Sequence, residues 1–276
     1  MNNNNVSIND SLHNLEATSN DGKTFVYSSL ISKKIKMRDP ILIAGFPGPG
    51  LVGSISVNYI IEKLSMKQIG CIDSEYIISG VVYTENRLKH PFRLYSNDNG
   101  NIIVLVCEVP IKSSGIHSVL NSVVEWCIKK NIKEVIVLGG YLGQYSAKSP
   151  RKPMILSNYK GMDIQEYCSL ENYLRYSEPP IFIGGIAGGL LSSMLVYNIP
   201  ATAIFLPSFE GMPDAEGAAI VIETINTIKK YGFLKIETTK LRKEAEYLQI
   251  QLQEFIKSIN TAVSRTKKDE EHTIYG

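Results

Sequence analysis

Residues Ile41-Leu42-Ile43-Ala44-Gly45-Phe46-Pro47-Gly48-Pro49-Gly50-Leu51-Val52-Gly53 decide the fold. The run to Phe46 is uncharged, mostly apolar and of strand length. The glycines and prolines after it cannot prolong a strand, and Leu51–Leu64 then repeats apolar residues at helical spacing. Strand, tight turn and helix together form the unit of layered α/β folds. The alternation recurs outward from this stretch. Strands are expected at Gln68–Ile72, Gly80–Tyr83, Ile102–Cys107, Glu134–Leu138, Ile181–Ile183 and Ala201–Phe205. Helices are expected over Ser114–Lys129, Gly188–Tyr197 and Ala215–Tyr231. The fold class that follows is α/β, with a central, largely parallel sheet. Residues 73–101 and 144–178 hold many turn formers and read as hairpins or long loops.

Composition narrows the function classes. The chain has 276 residues, 44% of them hydrophobic, enough for one large or two small cores. A net charge of +2 is too small for an extended nucleic-acid footprint, so no nucleic acid is expected as a partner. Cys71, Cys107, Cys127 and Cys168 lie far apart without a C-x-x-C pair, which points to neither a zinc site nor a disulfide framework. With no secretory pattern at the N-terminus, the expected compartment is the reduced cytoplasm. Residues Pro179–Phe209 carry no charge, but Gly184, Gly185, Gly188, Gly189, Asn198 and Pro200 interrupt them. A turn, a short helix and a strand account for this stretch better than a membrane span.

Four segments are expected. Residues 1–20 are an Asn- and Ser-rich disordered tail, and 21–232 form the α/β domain. Residues 233–263 form a helix, and 264–276 a flexible polar tail. In the third segment Leu234, Leu241, Leu248, Phe255 and Ala262 are spaced by seven, as are Thr238, Ala245, Leu252 and Ile259. These series fill the a and d positions of a heptad, over about 43 Å of helix. An isolated helix of this kind is marginal in water. Its stripe lies either on its own domain or on another helix, and its narrowness favours a coiled coil between subunits. Leu241, Leu248, Leu252, Phe255 and Ile259 are the candidate self-association residues.

Gly48-x-Gly50-x-x-Gly53, with Asp73 some twenty residues on, matches the dinucleotide-binding fingerprint. Pro47 and Pro49 argue against that function, because they stiffen the loop and Pro49 has no N–H to offer a phosphate. The competing reading is a tight strand-to-helix turn in which Gly45, Gly48, Gly50 and Gly53 are structural. Asp21-Gly22-Lys23-Thr24 resembles the end of a P-loop, but Ala17 stands where its first glycine belongs. His13, His90, His117 and His272 are scattered, and no G-x-S-x-G or H-E-x-x-H motif occurs. No catalytic residue, metal ligand or cofactor is therefore assigned. Pro213 and Asp214 suit a helix start, with Asp214 as N-cap or first-turn acid.

The combination resembles the PAC2 family, the proteasome assembly chaperone 2-like proteins, and especially its archaeal members. The resemblance rests on residues 45–53, Gly139-Gly140-Tyr141, Gly184-Gly185-Ile186-Ala187-Gly188-Gly189-Leu190-Leu191, and Pro213-Asp214 with Ala218-Ala219. Ala215-Glu216-Gly217 departs from it, since the family more often has a second proline there. The resemblance implies a non-enzymatic three-layer α/β/α domain, similar in fold to purine nucleoside phosphorylases but without their active site. It also implies a homo-oligomer, a tetramer or pentamer. The triplet Ile274-Tyr275-Gly276 matches the hydrophobic-Tyr-X signature that docks on the α subunits of the 20S proteasome.

Overall fold

The computed structural model describes residues 14–84, 86–143, 151–158, 181–228, 234–243, 254 and 257–258. Its centre is a nine-stranded sheet. The strands are β1 (Asn14–Thr18), β2 (Thr24–Ser28), β3 (Ile41–Gly45), β4 (Lys67–Ser74), β7 (Phe92–Ser96), β8 (Ile102–Cys107), β9 (Glu134–Leu142), β10 (Met154–Ser157) and β11 (Ala201–Ser208). They lie in the order β1-β2-β4-β7-β8-β3-β9-β11-β10. A separate hairpin pairs β5 (Val82–Thr84) with β6 (Arg87–Lys89).

The chain is α/β as expected, and its parallel character is confined to the four central strands. β3 pairs in parallel with β8 and β9, and β9 with β11; the flanking pairs are antiparallel. The cause is connection length. A parallel pair needs a crossover, supplied around the central strands by helices. β7 and β8 are joined by a turn of a few residues in which Gly100 has φ 67°, and so short a link can only reverse the chain.

Four helices complete the layers: α2 (Val52–Lys63), α3 (Ile116–Lys129), α4 (Gly185–Val196) and α5 (Ala215–Thr227). A short α1 (Leu30–Lys34) precedes β3. Strand alternation divides the core. Leu42, Ala44, Leu105, Val137 and Phe205 pack with Val123, Trp126, Leu190 and Met194 of α3 and α4. Ile41, Ile43, Val104, Ile136 and Leu206 pack with Val57, Ile60, Ala218 and Ile222 of α2 and α5. Burial on both faces explains why these strands read as continuous apolar runs.

Three expectations change. The tail boundary near residue 20 moves, because Asn14–Thr18 pairs with β2 and Ala17 is buried. Ile181–Ile183 is not a strand but leads directly into α4, whose N-cap residue is Gly184. The chain folds back so tightly there that a Cβ on Gly188 would overlap the Ile183 carbonyl. The third change concerns the heptad stripe. Residues 234–238 are not helical, and a helix begins only at α6 (Thr239–Lys243). Leu234 and Leu241 are buried in the α2–α5 side of their own core, Leu241 completely. Burying a leucine is favourable by about 1.5–3 kcal/mol, and here that gain is made inside the domain. Leu241 is thus corrected from self-association residue to core residue. Leu248, Leu252, Phe255 and Ile259 lie outside the described residues.

Candidate functional site

Of the residues singled out in the glycine loop, Gly50 meets Asp214, next to Pro213, near the carboxyl ends of β3, β9 and β11. A single 3-10 turn, Pro49–Leu51, links β3 to α2, with Gly50 at φ 62° and Leu51 at φ 50°. The loop is packed against its neighbours. A Cβ on Gly50 would overlap Ser208 Oγ and lie 2.9 Å from Asp214 Cβ. One on Gly140 would overlap the Pro49 carbonyl, and one on Gly53 the Leu138 carbonyl. Gly48 is exposed and extended, and a Cβ there would meet nothing within 4 Å.

Three donors in a row at the start of α2 are already engaged. Gly50 N–H donates to the Phe209 carbonyl at 2.7 Å, and Leu51 N–H to the Gly48 carbonyl at 2.9 Å. Val52 N–H donates to the Pro49 carbonyl. Asp214 N–H closes the other side, donating to the Gly50 carbonyl at 2.8 Å. A phosphate cradle needs such N–H groups turned outward; here Gly50 N–H ties the loop to the end of β11, those of Leu51 and Val52 close the turn on itself, and the Gly50 carbonyl holds the start of α5.

Asp214 caps α5, accepting from Gly217 N–H at 2.7 Å. Its carboxylate also accepts from Ser208 Oγ at 2.8 Å and from both terminal nitrogens of Arg151, one at 2.9 Å. Both side chains are largely buried, at 7% exposed for Arg151 and 13% for Asp214. Burial alone would push the Asp214 carboxyl up, but the hydrogen bonds from Arg151, Ser208 and Gly217 hold it below the ordinary aspartate value. A buried carboxylate with four donors is satisfied, so this group rivets the end of β11 and the segment before β10 to the start of α5. Ser208 lies between the expected strand Ala201–Phe205 and the helix start at Pro213-Asp214. Arg151 has no local signal; it sits in a turn-rich region, 63 residues before its partner.

Asp73 does not join the loop. It lies on β4, separated from β3 by β7 and β8. Three strand spacings put it about 14 Å away across the sheet, and it faces His90 at 3.6 Å instead. The fingerprint requires the acid on the neighbouring strand, so its spacing here is coincidental. A second buried ion pair has no local signal in the sequence. Arg93 on β7 meets Glu108, just past β8, at 2.7 Å, and also donates to Tyr95 Oη and the His90 carbonyl.

Cys71, Cys107 and Cys127 are free thiols, and burial pushes Cys107 and Cys127 up to about 12. Among the described residues no cluster of His, Cys, Asp and Glu could hold a metal ion, and no helix is long and apolar enough to cross a membrane. His117 is exposed in the first turn of α3. Ile274, Tyr275 and Gly276 lie outside the described residues.

The chain is 28% identical over 236 residues to an uncharacterized protein of Methanocaldococcus jannaschii, covering 86% of this chain and 93% of that one. Among solved structures it is similar to a Thermoplasma acidophilum protein of unknown function, with a TM-score of 0.73 and 25% identity over 86% of this chain and 93% of the other. It is also similar to Pyrococcus furiosus PbaA, an archaeal homolog of proteasome-assembly chaperone, with a TM-score of 0.69 and 26% identity over 82% and 96%. Pyrococcus furiosus PbaB, an archaeal proteasome activator, shares the fold at a TM-score of 0.68 and 22% identity over 84% and 98%. The PAC2 family model matches residues 42–256, from the first central strand through α6 and beyond, and the chain therefore belongs to the PAC2 family.

Proposed function

We propose that this protein is a non-enzymatic, proteasome-directed chaperone or activator that docks Ile274-Tyr275-Gly276 into pockets between α subunits of the 20S proteasome. The observation that carries this reading is the pairing of a PAC2 domain, similar to the chaperone homolog PbaA, with a hydrophobic-Tyr-X triplet on a polar tether. Ile274 supplies apolar burial, Tyr275 a rigid amphipathic anchor, and a carboxylate on Gly276 a charge for a pocket lysine. So small a contact needs several linked copies. Self-association through Leu248, Leu252, Phe255 and Ile259 into a tetramer or pentamer would provide them by avidity.

The nucleotide-enzyme alternative finds little support in the glycine loop, where the Gly50, Leu51 and Val52 N–H groups bond to the protein itself. A pulldown of 20S proteasome tests the proposal. Tyr275→Ala removes an anchor of the kind that commonly contributes ~2 kcal/mol or more, and multiplied over several tails it should abolish capture at micromolar concentration. Residues appended after Gly276 should do the same. Capture that survives both changes would overturn the docking reading, and a thermal shift with NAD or ATP would revive the alternative.

A further inference from the structure

The residues that lead out of the α/β body toward the C-terminus are held by an unusual set of bonds. Leu234, Ile236 and Thr238 are buried while Lys235 and Glu237 are exposed, the alternation of an extended strap. Asn226 of α5 brackets this strap as a neighbouring strand would. Its Nδ2 donates to the Ile236 carbonyl at 2.8 Å, and its Oδ1 accepts from Ile236 N–H at 2.9 Å. From α2, Tyr59 Oη donates to the Glu237 carbonyl at 2.8 Å. The strap then turns into α6, where Leu241 is fully buried.

Arg242 closes the arrangement. Its Nε and Nη2 donate to the Glu223 carboxylate at 3.3 and 3.1 Å, and its Nη1 to Glu216 Oε1 at 3.2 Å. Glu216 and Glu223 are seven residues apart on α5, two turns along one face, so a guanidinium fork spans both while a point charge would reach one. Glu223 also accepts from Thr238 Oγ1, at the point where strap becomes helix.

We propose that Arg242 is a positioning residue: its fork on Glu216 and Glu223 latches α6 to α5 and sets the direction in which the C-terminal segment leaves the domain. The role in docking rests on the function proposed above; the latch itself does not. The physical reason is that linked tails bind together only when their exits are aimed so that all reach their pockets. A hinge at residues 238–239 would lower their effective concentration without altering any tail contact. An isolated exposed ion pair contributes little, but here the fork meets two acids already fixed on a helix.

Hydrogen exchange on the full chain tests the latch, with Arg242→Glu and Arg242→Lys compared. Arg242→Glu, which sets a third carboxylate against the first two, should speed exchange of residues 236–243 at least about tenfold while α2 and the central strands keep their protection. Arg242→Lys should recover part of that protection. Proteasome affinity of the multimer should fall about tenfold or more in Arg242→Glu, whereas a free peptide ending in Ile274-Tyr275-Gly276 should bind as before. Unchanged exchange in Arg242→Glu overturns the latch. Faster exchange with unchanged multimer affinity overturns its role in aiming the tails. A wild-type chain that captures no proteasome refutes the docking function alone, and the exchange result still decides the latch.

Discussion

Two glycines two residues apart in sequence should respond oppositely to the same change, alanine at Gly50 and alanine at Gly48. Gly50 sits at φ 62°, where an L-residue is disfavoured by about 1–2 kcal/mol. Its new Cβ would overlap Ser208 Oγ, so the hydroxyl must leave Asp214 Oδ2, which it reaches at 2.8 Å. Losing a hydrogen bond to a charged, buried group costs about 1.5–3 kcal/mol, and overpacking against Asp214 adds about 1–3 kcal/mol. The expected destabilisation is roughly 3.5–8 kcal/mol, a large part of a typical domain's 5–15 kcal/mol. Gly48 is extended and open, so alanine there should be neutral or stabilising by up to ~1 kcal/mol through the unfolded state. Urea unfolding at fixed protein concentration measures both, reported by the emission of Trp126, the chain's one tryptophan, which is 2% exposed. If the loop served a dinucleotide, both glycines would be needed for binding and neither expressly for stability. Comparable destabilisation by the two alanines, or a loss below ~1 kcal/mol for Gly50→Ala, would refute the packing argument.

Arg151→Met should cost about 3–5 kcal/mol at pH 7 by leaving Asp214 buried without its cation. In the wild type the Asp214 carboxyl lies below its ordinary value, so its stabilisation is complete above that value and is lost as pH falls through the lowered one. The deficit of the variant should therefore shrink in acid, and a deficit constant from pH 7 to pH 2.5 would contradict the assignment. Leu248→Glu with Leu252→Glu should lower the oligomer mass in light scattering and leave the melting temperature of the body unchanged; an unaltered mass would remove these residues from the subunit contact. Leu241→Ala should behave differently, losing about 2–5 kcal/mol by a cavity in its own core, with any fall in mass secondary to unfolding.

The sequence by itself determined the elements of the parallel centre. Ile41–Gly45, Ile102–Cys107, Glu134–Leu138 and Ala201–Phe205 are apolar on both alternating faces, and the helices between them repeat at their own period. Patterns of that kind report burial within a few residues of themselves, so they survive reading one segment at a time. Asp214 as the cap of α5 was legible for the same reason, since a cap and its N–H partner are three residues apart. What the tertiary structure alone decided are the pairings between distant segments. Asp73 has the right spacing from the glycine loop but the wrong strand, because the order of strands in a sheet is not written in any one of them. Arg151 finds Asp214 across 63 residues with no periodicity to announce it. Leu241 fits a heptad as well as it fits a core, for an apolar side chain at helical spacing looks the same from sequence whichever surface buries it. The domain's own α2–α5 layer was close enough to bury it first.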